Sequence, residues 1–117
     1  MIGYQPRMPD LNRQIVDRIV RRIVETCDPQ KIVLFGSRGR GEGRPESDID
    51  LLIIGDSNLP RHRRTVPLYS ALADLPIEVD VDVVVYTPEE VHQQQAAASA
   101  FVTTALRDGS VLYEKQP

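Results

Sequence analysis

KIVLFGSRGRGEGRPESDIDLLII, residues 31–54, consists of two apolar runs joined by a glycine-rich segment. The first run, Lys31 to Phe35, is short and rich in β-branched and aromatic side chains, and it reads as a buried strand. Gly36 to Ser47 carries four glycines and one proline, which predicts a turn or loop. Asp48 to Ile54 then reads as a second strand, whose far half is apolar on both faces, as in a sheet covered from two sides. Residues two apart on a strand share a face and lie roughly 7 Å apart along it. Asp48 and Asp50 therefore present two carboxylates side by side.

The rest of the chain supplies partners for these strands. Glu78 to Tyr86 is a third strand and repeats the Asp-x-Asp pattern with Asp80 and Asp82. If it neighbours the second, three or four carboxylates converge on one patch. Upstream, Leu11, Ile15, Ile19, Ile23 and Cys27 recur every four residues with Val16, Val20 and Val24 beside them, which predicts a helix with one broad apolar face. Asp10 is placed to cap it and Asp28-Pro29 to end it. Residues 1–9, with two prolines and no periodicity, read as a loose arm.

Downstream, Arg61 to Leu75 is a helix bounded by Pro60 and Pro76, with Pro67 starting it late or kinking it. Thr87-Pro88-Glu89-Glu90 is a capping box with proline at the first helical position. Helical sequence runs on, with a break, to Arg107. Gly109 is a stop, and Val111 to Tyr113 offers a short edge strand. Helices alternating with strands predict an α/β or α+β fold, a mixed sheet flanked by helices.

At 117 residues the chain is sized for one compact domain spanning 1–117. Its 41% hydrophobic and 26% charged residues are those of an ordinary globular protein, and a net charge of -3 argues against non-specific nucleic-acid binding. Cys27 is the only cysteine, which excludes an internal disulfide and a cysteine-based zinc site; on the apolar helix face it is a core residue rather than a reactive one. No signal-peptide core and no apolar run near the roughly 18 residues of a membrane span are present, so the expected setting is cytoplasmic.

Two like charges about 4 Å apart repel by about 4 kcal/mol at a typical effective dielectric, so a convergent carboxylate cluster calls for a cation. Oxygen ligands without neighbouring histidine or cysteine favour magnesium or manganese. Two such ions can stabilise the attacking and leaving oxygens of an in-line displacement at phosphorus. A lone Asp-x-Asp is commonly a solvated strand end; here a Gly-Ser turn, a basic glycine loop and a second pair accompany it. Other readings of the loop fail: Gly41 is followed by Glu42 where a P-loop needs lysine, and Gly39-x-Gly41-x-Gly43 lacks the dinucleotide spacing. Arg61-His62-Arg63-Arg64 is a basic cluster that suits either contact with an acidic partner or nucleic acid, or a solvated helix end. His62 and His92 are isolated and receive no catalytic role.

Gly36-Ser37-Arg38-Gly39-Arg40-Gly41, then Ser47-Asp48-Ile49-Asp50-Leu51-Leu52, then Val81-Asp82-Val83-Val84, resemble the signature of the DNA polymerase beta-like nucleotidyltransferases, in particular the minimal nucleotidyltransferases of prokaryotes. The resemblance covers most of the chain and implies the nucleotidyltransferase fold. It implies attack of an acceptor hydroxyl on the α-phosphorus of a nucleoside triphosphate, with AMP from ATP the expected group and pyrophosphate leaving. By the same resemblance Asp48 and Asp50 bind both Mg2+ or Mn2+ ions and Asp82 completes the site. Ser37 and the amides around Gly36 hold the triphosphate, and Arg38 and Arg40 are candidates to neutralise it, or else solvated loop residues. Asp80 shares a face with Asp82 and competes for its role; the apolar run directly after Asp82 favours Asp82. The expected partner is a small helical HEPN-class protein, either modified with AMP or, in the alternative, simply covered by a non-catalytic antitoxin-like module.

Overall fold

The computed structural model describes residues 10–97 and 100–117. The arm expected over residues 1–9, and the side chain of Asp10 with its expected capping role, lie outside what is described. Helix α1 (Asp10–Cys27) buries Val16, Ile19, Val20 and Ile23, the stripe read from the sequence. It ends where Asp28 enters the left-handed region at φ 46° with its amide bonded to the Val24 carbonyl; aspartate is one of the few residues that tolerates this conformation. Strand β1 (Lys31–Phe35) follows, then α2 (Gly36–Gly39), β2 (Ile49–Ile54), a 3-10 turn (Arg61–Arg63), α3 (Val66–Leu72) and β3 (Val81–Tyr86). Helices α4 (Pro88–Gln95) and α5 (Phe101–Asp108) and strand β4 (Ser110–Glu114) complete the order.

The four strands form one mixed sheet in the order β3-β2-β1-β4. β1 pairs antiparallel with both β2 and β4, while β2 and β3 run parallel. On one face Ile32, Leu34, Leu51, Ile53 and Val85 pack against α1 and α3. On the other, Val33, Leu52 and Ile54 pack against Val91 of α4 and Val102 and Ala105 of α5. β2 is thus covered from both sides, as its continuous apolar half predicts. The mixed sheet flanked by helices is the architecture expected from the sequence.

Several boundaries differ from expectation for local reasons. The segment after β1 is not wholly loop. Gly36–Gly39 forms a single helical turn, closed by the Arg40 amide on the Gly36 carbonyl at 3.2 Å. Glycine disfavours helix in general, but Gly39 lies so close to the Leu34 carbonyl that any side chain would collide there. The helix expected over 61–75 is split, and Pro67, lacking an amide to donate, stands in the first turn of a shorter α3. β3 begins at Val81 because its partner β2 begins at Ile49, and Ile49↔Val81 is the first pair.

The capping box is complete: the Thr87 amide donates to Glu90 Oε1 at 2.9 Å and the Glu90 amide to Thr87 Oγ1 at 3.2 Å. β3 lies at an edge of the sheet, and side chains take up two of its outward backbone groups. The Val83 amide donates to the Tyr69 hydroxyl at 2.8 Å, and Arg64 Nη1 donates to the Val85 carbonyl at 3.3 Å. Among the described residues no helix is long and apolar enough to cross a membrane.

Candidate active site

β1 ends at Phe35, whose cross-strand partner is Asp50, and Asp50 in turn stands abreast of Asp82 on β3. Strand alternation places Asp50 and Asp82 on the face that carries Leu52, Ile54, Val84 and Tyr86, the face covered further along by α4 and α5, and Asp48 directly precedes β2. The carboxylates therefore gather at one end of the sheet. Asp50 is half-buried, whereas Asp48, Asp80 and Asp82 are exposed. Asp80 precedes β3, and its carbonyl accepts the Ile49 amide at 2.9 Å.

Burial pushes the Asp50 carboxyl above its ordinary value, and the charges of Asp82 and Asp48 and a hydrogen bond with the Asp82 side chain push it further; only Arg38 pulls it back. The shift comes first from burial of the carboxyl and then from the neighbouring negative charges. Among the described residues no group of three or more histidine, cysteine, aspartate or glutamate side chains is gathered closely enough to hold a metal ion. What stands there is a carboxyl pair, Asp50 with Asp82, and a third carboxylate, Asp48, within electrostatic reach. Hard oxygen donors in excess of local positive charge fit magnesium or manganese.

Gly36 lies against Asp50. Its φ is 70°, in the left-handed region, and a Cβ there would run into Asp50 Oδ2. Gly36→Ala is expected to cost about 1–2 kcal/mol from backbone strain alone. Because Asp50 must also move, thermal melts should fall and Mn2+ titration should weaken together. Undiminished Mn2+ binding would show that Gly36 does not set Asp50.

The remaining expected residues fall into three environments. Ser37 is half-buried, and its carbonyl accepts the Glu42 amide at 2.9 Å. Arg40 is exposed and pairs with Glu42 at 3.1 Å. Arg38, expected at the phosphates or in solvent, is buried with its guanidinium turned onto loop carbonyls. A cavity of about 130 Å³, lined by Phe35, Gly36, Arg40, Phe101 and Thr104 among others, adjoins the turn. A larger hollow of about 650 Å³ includes Lys31, Ile54 and Pro88 in its lining and lies at the opposite end of the sheet.

The basic cluster is not simply a solvated helix end. Arg64 donates to Glu90 Oε1 at 2.6 Å, and Arg61 lies 4.7 Å over the Tyr86 ring. Cys27 packs against the core, where burial pushes its thiol up. His62 and His92 are exposed.

The model of the polymerase beta nucleotidyltransferase family matches residues 17–117, and the chain belongs to that family. It is 34% identical over 70 residues to a bifunctional uridylyltransferase/uridylyl-removing enzyme of Hydrogenovibrio crunogenus, a match that spans 55% of this chain and 8% of that enzyme. It is 63% identical over 27 residues to a Methanocaldococcus jannaschii protein named "Putative protein adenylyltransferase", spanning 23% of this chain and 27% of that one. The matches thus span well under a third of these relatives. Two solved structures share the fold. A toxin-antitoxin MntA-HepT crystal structure superposes with a TM-score of 0.50 at 22% identity, over 92% of this chain and 74% of that one. A point mutant of that toxin-antitoxin pair gives 0.51 at 24%, over 90% and 74%.

Proposed function

We propose that residues 1–117 form one minimal nucleotidyltransferase domain that transfers a nucleoside monophosphate, AMP from ATP, to an acceptor hydroxyl. The observation that carries this reading is Asp50 standing abreast of Asp82 and against Gly36, in a chain of the polymerase beta nucleotidyltransferase family. Asp48, Asp50 and Asp82 would hold Mg2+ or Mn2+. When bound, these ions supply Lewis-acid stabilisation of the attacking and leaving oxygens. Ser37 and the amides around Gly36 hold the triphosphate, and Arg40, at the mouth of the turn, neutralises part of its charge. The protein's own contribution is positioning and preorganised electrostatics. Use of a nucleoside triphosphate and a single free thiol fit a cytoplasmic setting.

The acceptor is proposed to lie on a small helical HEPN-class partner. The M. jannaschii relative's name supports protein as the acceptor, and the fold neighbours are toxin-antitoxin complexes. Those neighbours also favour a second reading, in which the chain neutralises a helical toxin by covering it. Incubation of the complex with ATP and Mg2+ separates the two by mass spectrometry. A partner heavier by one AMP supports transfer; a tight complex with an unmodified partner, and no other acceptor found, supports covering alone.

Metal and nucleotide should also be visible in stability. A ligand that binds only the folded chain stabilises it by about 2.7 kcal/mol at a hundred times its dissociation constant. For a domain near this size that raises the melting temperature by roughly 10 °C. Thermal melts with Mn2+ and ATP at fixed ionic strength should show this shift in the wild type. They should not show it in Asp48→Asn/Asp50→Asn. Equal shifts in both proteins would place the ions elsewhere.

A further inference from the structure

Arg38 is the largest of the fully buried side chains, 1% exposed, whereas the other described arginines reach solvent or its margin. Its Nε donates to the carbonyls of Ser47 at 3.0 Å and Asp48 at 3.1 Å. Its Nη2 donates to Pro45 at 3.0 Å and again to Ser47 at 2.6 Å. Nη1 is buried with no partner among the described residues. The loop folds over the side chain so closely that a Cβ on Gly43 would come 2.5 Å from Arg38 Cγ and 3.0 Å from its Cα. The same loop is tightened by the Ser47 hydroxyl, which accepts the Arg44 amide at 2.8 Å, and by the Ser47 amide on the Arg44 carbonyl at 3.0 Å.

A desolvated guanidinium is costly, and a neutral side chain of similar volume would avoid that cost. This one contributes something an apolar residue cannot, a rigid planar fork that gathers several carbonyls at fixed angles. Its two ends lie on the two halves of the site. Its backbone belongs to α2, whose first residue lies against Asp50, and its guanidinium holds the carbonyl of Asp48 itself. Asp48 lies just before β2, so the register that fixes Asp50 does not fix it.

We propose that Arg38 is a positioning residue of the metal site: by clamping the carbonyls of Pro45, Ser47 and Asp48 it sets the Asp48 carboxylate beside Asp50, instead of contacting phosphate. This inference rests on the reading that Asp48 and Asp50 bind a divalent cation. Two readouts test it in the full chain, Mn2+ titration without nucleotide and hydrogen–deuterium exchange of the segment 41–50. Arg38→Lys keeps the charge and loses the fork. It is expected to speed exchange in 41–50 at least tenfold, to leave α1 and α5 unchanged, and to weaken Mn2+ binding at least tenfold, towards the affinity of Asp48→Asn.

Wild-type exchange in that segment overturns the proposal, and so does faster exchange with undiminished Mn2+ affinity, which would make Arg38 a builder of the loop alone. Weakened ATP binding with both readouts unchanged makes it a direct phosphate ligand and also overturns the proposal. If the wild type binds no Mn2+, the metal reading falls by itself, and the exchange measurement still decides whether Arg38 orders Asp48. Should Arg38→Lys fail to fold, Gly43→Ala lifts the loop from the side chain without touching the buried charge. The same two losses are expected from it, and their absence counts against the clamp.

Discussion

Asp50→Asn is expected to lower nucleotidyl transfer by at least about a thousandfold while leaving the chain folded. Asp50 is the carboxylate in the middle of the constellation, with Gly36 against it, Asp82 abreast on the parallel strand and Asp48 two residues upstream, just before β2. Asparagine keeps the shape and removes the charge on which cation binding depends. Transfer of label from α-labelled ATP to the acceptor measures the loss, and near-wild-type transfer would remove Asp50 from the metal site. The same substitution should slightly raise the melting temperature in a chelator, since the burial of charge, and after it the repulsion from Asp82 and Asp48, that lift the Asp50 carboxyl are then relieved. Running Asp80→Asn beside Asp82→Asn ranks the third carboxylate. The pairing of Asp50 with Asp82 leads to a far larger loss at Asp82, and the reverse order would transfer the role to Asp80.

Glu90→Ala is expected to cost about 3 kcal/mol of stability, for two reasons that act together. The substitution opens the capping box of α4, and it strips the carboxylate from Arg64, whose side chain is only 10% exposed and is left with the Leu59 and Val85 carbonyls alone. Thermal melting should fall by roughly 10 °C or more for a domain of this size; a fall of a degree or two would mean that Arg64 finds other partners. The pH dependence follows from the same contacts. The hydrogen bond from Arg64, then the Thr87 amide, then the charges of Arg64 and a hydrogen bond from Arg61 hold the Glu90 carboxyl down at about 2 from an ordinary 4.5. A depressed carboxyl stabilises the folded state fully above its unfolded value and loses that contribution as pH falls towards the folded value. The melting-temperature gap between wild type and Glu90→Gln should therefore be constant above about pH 5 and close between 4.5 and about 2. A gap that persists at the acid end would show that the Glu90 charge is not its origin.

The sequence made some of this molecule legible and hid the rest for identifiable reasons. Strands β1 and β2 could be read because their apolar runs are short, β-branched and punctuated by glycine and proline, and a strand buried on both faces has no other composition. The expected pairing of Asp48 with Asp50 on one face needs only the two-residue period. Choosing Asp82 over Asp80 as the cross-strand neighbour needs a register, which is a property of two strands and cannot be read from one. The α2 turn was hidden because glycine counts against helix locally, while the contact of Gly39 with the Leu34 carbonyl is tertiary. Arg38 and Arg64 look like any loop arginine. Their interior positions depend on carbonyls and a carboxylate that folding brings in, Glu90 for Arg64 from 26 positions away. The expectation of a cation came from the clustering of carboxylates, since a lone aspartate pair is more often a solvated strand end, while the proposed metal and phosphate roles of individual residues came from family resemblance.

The partial closure of the β3 edge bears on behaviour in a crowded solution. A strand exposed along one side is a template onto which a stretch of another chain can pair, and such pairing underlies domain exchange and ordered aggregates. On β3 a foreign strand would first have to pull the Tyr69 hydroxyl from the Val83 amide and the Arg64 guanidinium from the Val85 carbonyl. Arg64 is held in place by Glu90, so the helix cap that steadies α4 also guards this edge. Strand addition at the edge that carries Asp82 therefore costs more than it would at an unguarded strand, because these two contacts must first be broken.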